Sequence, residues 1–133
     1  MASASSCSTP EDRFGALANL LVTSIATEPV EVAAFAFCDS AGRILGTRRL
    51  VSPSRDAIDL PLRRIVADVV LLDAEQVVMA HNHPSGEAWP SRADREVTGR
   101  IARACEAVDS RLIDHLVVGR GGSVWSFRAA GLL

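Results

Sequence analysis

Two of the three histidines of this chain lie one residue apart, in His81-Asn82-His83-Pro84-Ser85-Gly86, directly after the apolar run Val77-Val78-Met79-Ala80; Ser91 and Asp94 follow. At the end of an extended strand, side chains two apart point to the same side. Both imidazoles can therefore face one point, and a carboxylate returning from the next element can complete a metal site. Zinc accepts imidazole nitrogen and carboxylate oxygen, and its catalytic sites use three protein ligands with the fourth position left to water. His81, His83 and Asp94 meet that count and make a zinc hydrolase the leading expectation. An isolated H-x-H pair reads more simply as a hydrogen-bonded polar loop; the added Ser and Asp tip the balance toward the metal. Ser91-Arg92-Ala93-Asp94 also reads as a helix cap followed by an acid in the first turn, an arrangement that needs no metal. The two readings are compatible, because a capping serine can keep its hydroxyl directed at a neighbouring site.

The elements that must position these residues follow from patterning. Residues 1–8 are small and polar, and are expected to form a disordered leader rather than a signal peptide. Thr9-Pro10-Glu11-Asp12 reads as a helix start, and Phe14, Leu17, Leu20, Leu21 and Ile25 continue at helical spacing, giving a helix over 10–26. Val30 to Phe37 and Arg43 to Leu50 flank turn chemistry at Asp39-Ser40-Ala41-Gly42 and read as a β-hairpin. Ser52-Pro53-Ser54 is a loop. A second helix follows from Pro61, with Leu62, Ile65, Val66, Val69 and Val70 as its apolar positions. Gln76 to His81 is a short buried strand, expected at the centre of a sheet. Ser91 opens a third helix with Val97, Ile101, Ala104 and Val108 on one face. Leu112–Val118 and Ser123–Phe127, separated by Gly119-Arg120-Gly121-Gly122, form a closing hairpin. The order α-ββ-α-β-α-ββ implies a single α/β domain over 9–133, a mixed sheet with helices on its faces.

The wording and order of these motifs are specific. His81-Asn82-His83-Pro84-Ser85-Gly86, with Ser91 and Asp94 at H-x-H-x7-S-x2-D spacing, resembles the signature of the JAB/MPN (JAMM) metalloprotease family, in particular its bacterial RadC branch. Asp114-His115 ahead of a strand, Ser126-Phe127 and Gly131-Leu132-Leu133 extend the likeness, which covers roughly residues 28 to 133. The resemblance implies a mixed, mainly antiparallel sheet flanked by helices, similar to the cytidine deaminase arrangement. It also implies one zinc ion per chain held by His81, His83 and Asp94. A glutamate from an early strand would be the general base. Glu31, at the head of the strand Val32 to Phe37, matches that position, and Glu28, before Pro29 in a loop, is its competitor. The activity implied is hydrolysis of a peptide or isopeptide bond in a peptide or protein substrate, with Ser91 donating to the oxyanion.

Other residues receive weaker expectations. Asn82 and Ser85 shape the loop. Asp114 and His115, adjacent in a strand, point to opposite faces and cannot both ligate one ion, so they take structural or supporting roles. Trp89 and Trp125 are candidates to line a groove, with burial as the default, and Cys38 is expected to be an inert core thiol.

Composition limits the alternatives. Fourteen Lys+Arg against sixteen Asp+Glu give a net charge of −2, with the arginines scattered, so a dedicated nucleic-acid surface has no support. Three cysteines without C-x-x-C spacing argue against a thiolate zinc site and a disulfide framework, and suit a cytoplasmic setting. No apolar run reaches membrane-spanning length. A non-catalytic MPN-like interaction module is one competing function. An accessory role in DNA repair, suggested by the branch name, is another. A zinc deaminase is excluded by the lack of H-x-E and P-C-x-x-C.

Overall fold

The computed structural model describes residues 10–51 and 61–133, so the expected leader, Thr9 and the loop at Ser52-Pro53-Ser54 lie outside the described residues. Three α-helices, α1 (Pro10–Ile25), α2 (Leu62–Leu71) and α3 (Arg92–Ala107), accompany five strands: β1 (Val32–Cys38), β2 (Ile44–Val51), β3 (Gln76–Asn82), β4 (Arg111–Val118) and β5 (Val124–Ser126). The strands form one sheet in the order β2-β1-β3-β4-β5. Only the β3–β4 pairing is parallel; β1–β2, β1–β3 and β4–β5 are antiparallel. The fold is thus a mixed α/β arrangement with a largely antiparallel sheet flanked by helices.

The apolar pattern explains the layering. β1 and β3 read as almost continuous apolar runs because both of their faces are covered. On one face α1 lays Leu17, Leu21 and Ile25, spaced by four, over Val32, Ala34, Ala36, Val78 and Ala80. On the other, α2 and α3 close over Ala33, Phe35, Phe37, Val77 and Met79 with Ile65, Val69, Ile101 and Cys105. Burying each large side chain contributes roughly 1.5–3 kcal/mol, so the helices are held mainly by these stripes. The buried face of α3 runs through Asp94, Thr98, Ile101 and Cys105. Ala104 lies to one side of it, because the sheet contact is centred one residue further along the helix than the apolar residues alone imply.

Helices α2 and α3 stop on the same device. Asp73 and Asp109 take positive φ (52° and 59°), and the next N–H bonds back five residues, Ala74 to the Val69 carbonyl and Ser110 to that of Cys105. At the sheet edge, β2 is half exposed and carries Arg48, paired with Asp68 of α2, and Arg49. Such charges blunt an open edge.

One irregularity has consequences for the site. The β3–β4 register shifts between Val77 and Val78: Val77 faces Leu112, whereas Val78 faces Asp114. The extra residue in β4 reverses the alternation beyond it. His115 and Val117 therefore share the face of Met79 and His81, and Asp114 is turned to the opposite face.

Candidate metal centre

The sheet register brings the polar residues together. Ala33 of β1 faces His81 of β3 in an antiparallel pair. Two residues outward along each strand, on the same face, the chain reaches Glu31 on one side and His83 on the other. The first turn of α3, packed on that face, supplies Asp94. The His81 and His83 Nε2 atoms are 2.9 Å apart, and Asp94 Oδ2 lies 3.1 Å from His83 Nε2 and 3.3 Å from His81 Nε2. With Glu31 included, one donor atom from each of the four side chains lies within 4.8 Å of the others.

Each side chain is held by a local reason. Beyond the end of β3, the His83 N–H still bonds the Val118 carbonyl (2.7 Å), and its ring Nδ1–H donates to the Glu87 carbonyl at 3.0 Å. That donation leaves Nε2 as the nitrogen that faces the cluster. The Pro-Gly loop can fold this tightly because Gly119 lies against it. A Cβ there would sit 2.5 Å from the Ala88 nitrogen and 2.9 Å from the Glu87 carbonyl carbon. Asp94 occupies the third position of α3, where Ser91 and Asp94 form a reciprocal capping box: the Asp94 N–H donates to Ser91 Oγ (3.0 Å) and the Ser91 N–H to Asp94 Oδ2 (2.8 Å). Ser91 Oγ accepts in that bond, so its own proton stays available to another partner.

Glu31 owes its place to Asn82. The Asn82 side chain, between the two histidines and therefore on the opposite face, accepts from the Val32 N–H (2.6 Å) and donates to the Val30 and Glu28 carbonyls (3.0 and 3.2 Å). It replaces the ladder where β1 and β3 part, and fixes the segment that carries Glu31. Asn82→Ala leaves the buried Val32 N–H without a partner, at a cost of about 1–3 kcal/mol. A denaturant titration should show that loss of stability, and an unchanged midpoint would contradict the role. Glu28 is directed elsewhere, into an ion pair with Arg49 on β2.

Electrostatics follow from burial and proximity. Burial raises the Asp94 carboxyl, but the two imidazoles against it and the bond from the Ser91 N–H outweigh it and hold the group well below the usual carboxylate range. Burial also raises Glu31 above 4.5, against the opposing pull of His81 and His83, and Asp94 adds to the rise. His83 is raised by its bond to Asp94, against burial. His115 is buried, and that burial, with His81 beside it, holds its imidazole well below 6.5.

The donor set fits a divalent cation. Three ligand atoms around a tetrahedral zinc at roughly 2.0–2.1 Å are about 3.3 Å from one another, and the 2.9, 3.1 and 3.3 Å separations of His81, His83 and Asp94 approach that figure. Two nitrogens and a carboxylate oxygen suit zinc in type as well. A family model described as a RadC-like JAB domain matches residues 12–132 of the chain. The chain belongs to that family. In this RadC-like JAB domain the clustered His81, His83, Asp94 and Glu31 form a site able to coordinate a metal.

Several residues of the domain stand where the sequence did not put them, or do more than it implied. Trp89 is 63% exposed rather than buried, and with Trp125 it lines a groove beside Ser85 and Glu87. Asp114 accepts from the His115 and Arg128 N–H groups and from the Ser126 hydroxyl, tying β4 to the C-terminal turn. That turn carries Phe127, whose ring stacks on His115 with centroids 4.8 Å apart and planes 3° from parallel. His115 in turn touches His81. Thr98, one helical turn after Asp94, has no motif to mark it in the sequence, although its i+4 spacing places it on the same face of α3. Cys38 is a buried thiol pushed up to about 11, foremost by burial, and is chemically inert.

Proposed function

We propose that this chain is a zinc-dependent hydrolase of the JAMM type, a peptidase or isopeptidase, in which His81, His83 and Asp94 hold the ion, Glu31 is the general base and Ser91 the oxyanion donor. The observation that carries the reading is that Glu31, a half-buried carboxylate, stands within 4.8 Å of the three candidate ligands at an open groove. That groove, of about 750 Å³, is lined by Glu31, His83, Ser85, Gly119 and Arg120 among others, a size that accommodates an extended peptide segment.

A zinc ion bound there supplies Lewis acidity and makes water ionisable near neutral pH. Glu31 takes the proton of the attacking water and delivers it to the departing amine nitrogen. The Ser91 hydroxyl, its oxygen engaged by the Asp94 N–H, keeps a proton that would be donated to the developing oxyanion. Asn82 and the Glu87 carbonyl act earlier, by fixing Glu31 and His83 before substrate arrives. A reducing, cytoplasmic setting belongs to the same proposal, supported by the buried free thiols Cys38 and Cys105. Among the described residues no helix is long and apolar enough to cross a membrane.

A panel of quenched fluorogenic peptides and isopeptide-linked conjugates tests this reading. The zinc-loaded protein should hydrolyse members of the panel in a chelator-sensitive manner, and Ser91→Ala should lower turnover by about 10²–10³-fold while keeping zinc. Absence of turnover across the panel, or turnover indifferent to chelator, overturns it.

A further inference from the structure

Behind the candidate ligands lies a buried chain of hydrogen bonds that the proposed chemistry does not use. His81 Nδ1 is 2.6 Å from His115 Nε2, and His115 Nδ1 is 2.6 Å from Thr98 Oγ1. Thr98 Oγ1 in turn is 2.6 Å from the main-chain carbonyl oxygen of Asp94. His81, Thr98 and His115 are all buried, and Phe127 covers the outer face of the His115 ring.

Only one member of this chain has a fixed role: a carbonyl oxygen accepts and never donates. The single Thr98 hydroxyl proton must therefore lie toward Asp94, since two oxygens 2.6 Å apart with no proton between them would repel. The Thr98 oxygen is then an acceptor for His115 Nδ1–H. The His115 ring is buried and bonds only Thr98 and His81, with no carboxylate to balance a charge, so with its proton on Nδ1 it offers a bare Nε2, which accepts from His81 Nδ1–H. His81 is left with its proton on Nδ1 and an unprotonated Nε2, which without metal accepts from a proton on His83 Nε2, 2.9 Å away, and with metal faces the ion.

We infer that Thr98 and His115 are positioning residues, a relay that fixes His81 in the Nδ1–H tautomer and so aims the Nε2 lone pair at the metal. The inference rests on the proposed zinc-site reading for its purpose, though not for its geometry. His83 obtains the same result directly from the Glu87 carbonyl. At His81 no carbonyl is the partner, and the relay conveys the direction set by the carbonyl of Asp94. Partners of this kind, which orient a ligating histidine without touching the ion, typically matter by 10–100-fold in metal affinity. The β4 bulge has a purpose in this scheme, since it turns His115 rather than Asp114 toward His81.

The test begins on the metal-free wild type, with long-range proton–nitrogen NMR of the histidine rings. His81 should carry its proton on Nδ1, with Nε2 bare, and His115 likewise. Thr98→Val, nearly equal in shape, removes the hydroxyl. It should disturb the His81 tautomer and weaken zinc binding by about 10–100-fold in a competition titration, whereas Thr98→Ser should restore both. A wild-type His81 protonated on Nε2 overturns the inference, as does a Thr98→Val protein with unchanged ring spectrum and zinc affinity. The wild-type spectrum decides the matter even if the variant does not fold. If the wild type binds no zinc, the hydrolase reading fails by itself, while the ring spectrum still decides the relay.

Discussion

Glu31→Gln is expected to lower hydrolytic turnover by about 10²–10⁴-fold, the range typical of a lost general base, with zinc content unchanged. The amide has nearly the same shape and stays pinned by the Asn82 bonds to the neighbouring backbone, so neither packing nor the three ligands are disturbed. What disappears is the capacity to take a proton. The pH profile separates this role from a structural one. A base must be ionised to act, and burial raises the Glu31 carboxyl above 4.5. The wild-type rate should therefore climb with pH through a limb set by Glu31 with the ion beside it, and the residual rate of the Gln variant should lack that limb. Steady-state rates across pH, with elemental analysis of each protein, supply the measurement. A Glu31→Gln protein with near wild-type turnover would move the base elsewhere. Glu28 is poorly placed to take over, being engaged with Arg49.

Asp94→Ala is expected to abolish stable zinc binding and also to destabilise the metal-free protein. The carboxylate is both a candidate ligand and half of the capping box of α3. Loss of a cap costs typically about 1 kcal/mol. Loss of a direct ligand should exceed the 10–100-fold in affinity ascribed to supporting partners. Asp94→Asn separates the two effects, because its amide oxygen can still accept from the Ser91 N–H: it should retain most of the stability and still lose zinc. Thermal unfolding and a competition titration on both variants test the pair. Acid denaturation gives an independent check. A carboxyl lowered on folding contributes stability that is complete above its unfolded value, near 3.8, and is lost as pH falls below it. The wild type should thus show an acid-induced loss that Asp94→Ala lacks.

The sequence carried the site further than it carried the reasons for it. The H-x-H spacing at a strand end and the Ser91–Asp94 pair could be read directly, because strand alternation and first-turn capping are local rules. The central position of β3 was legible from its unbroken apolar run. Glu31 was legible only through the family resemblance, because the β1–β3 register that brings residues about fifty positions apart to one point leaves no local trace. The same holds for His115: alternation alone cannot say whether Asp114 or His115 faces the site, since the answer turns on one extra residue in β4. Thr98 was within reach, four residues after Asp94, but a threonine inside an amphipathic helix has no distinguishing pattern. Trp89 lies exposed on the loop that follows the histidines, where burial of aromatics as a rule has least force.

The most direct test of the central claim is the metal content of the purified wild type beside His83→Ala, by elemental analysis. Convergence of two imidazoles and a carboxylate on one ion requires one zinc per wild-type chain and its disappearance in the variant. Wild-type protein that stays free of metal after exposure to zinc, or a His83→Ala protein that retains the full complement, would contradict it.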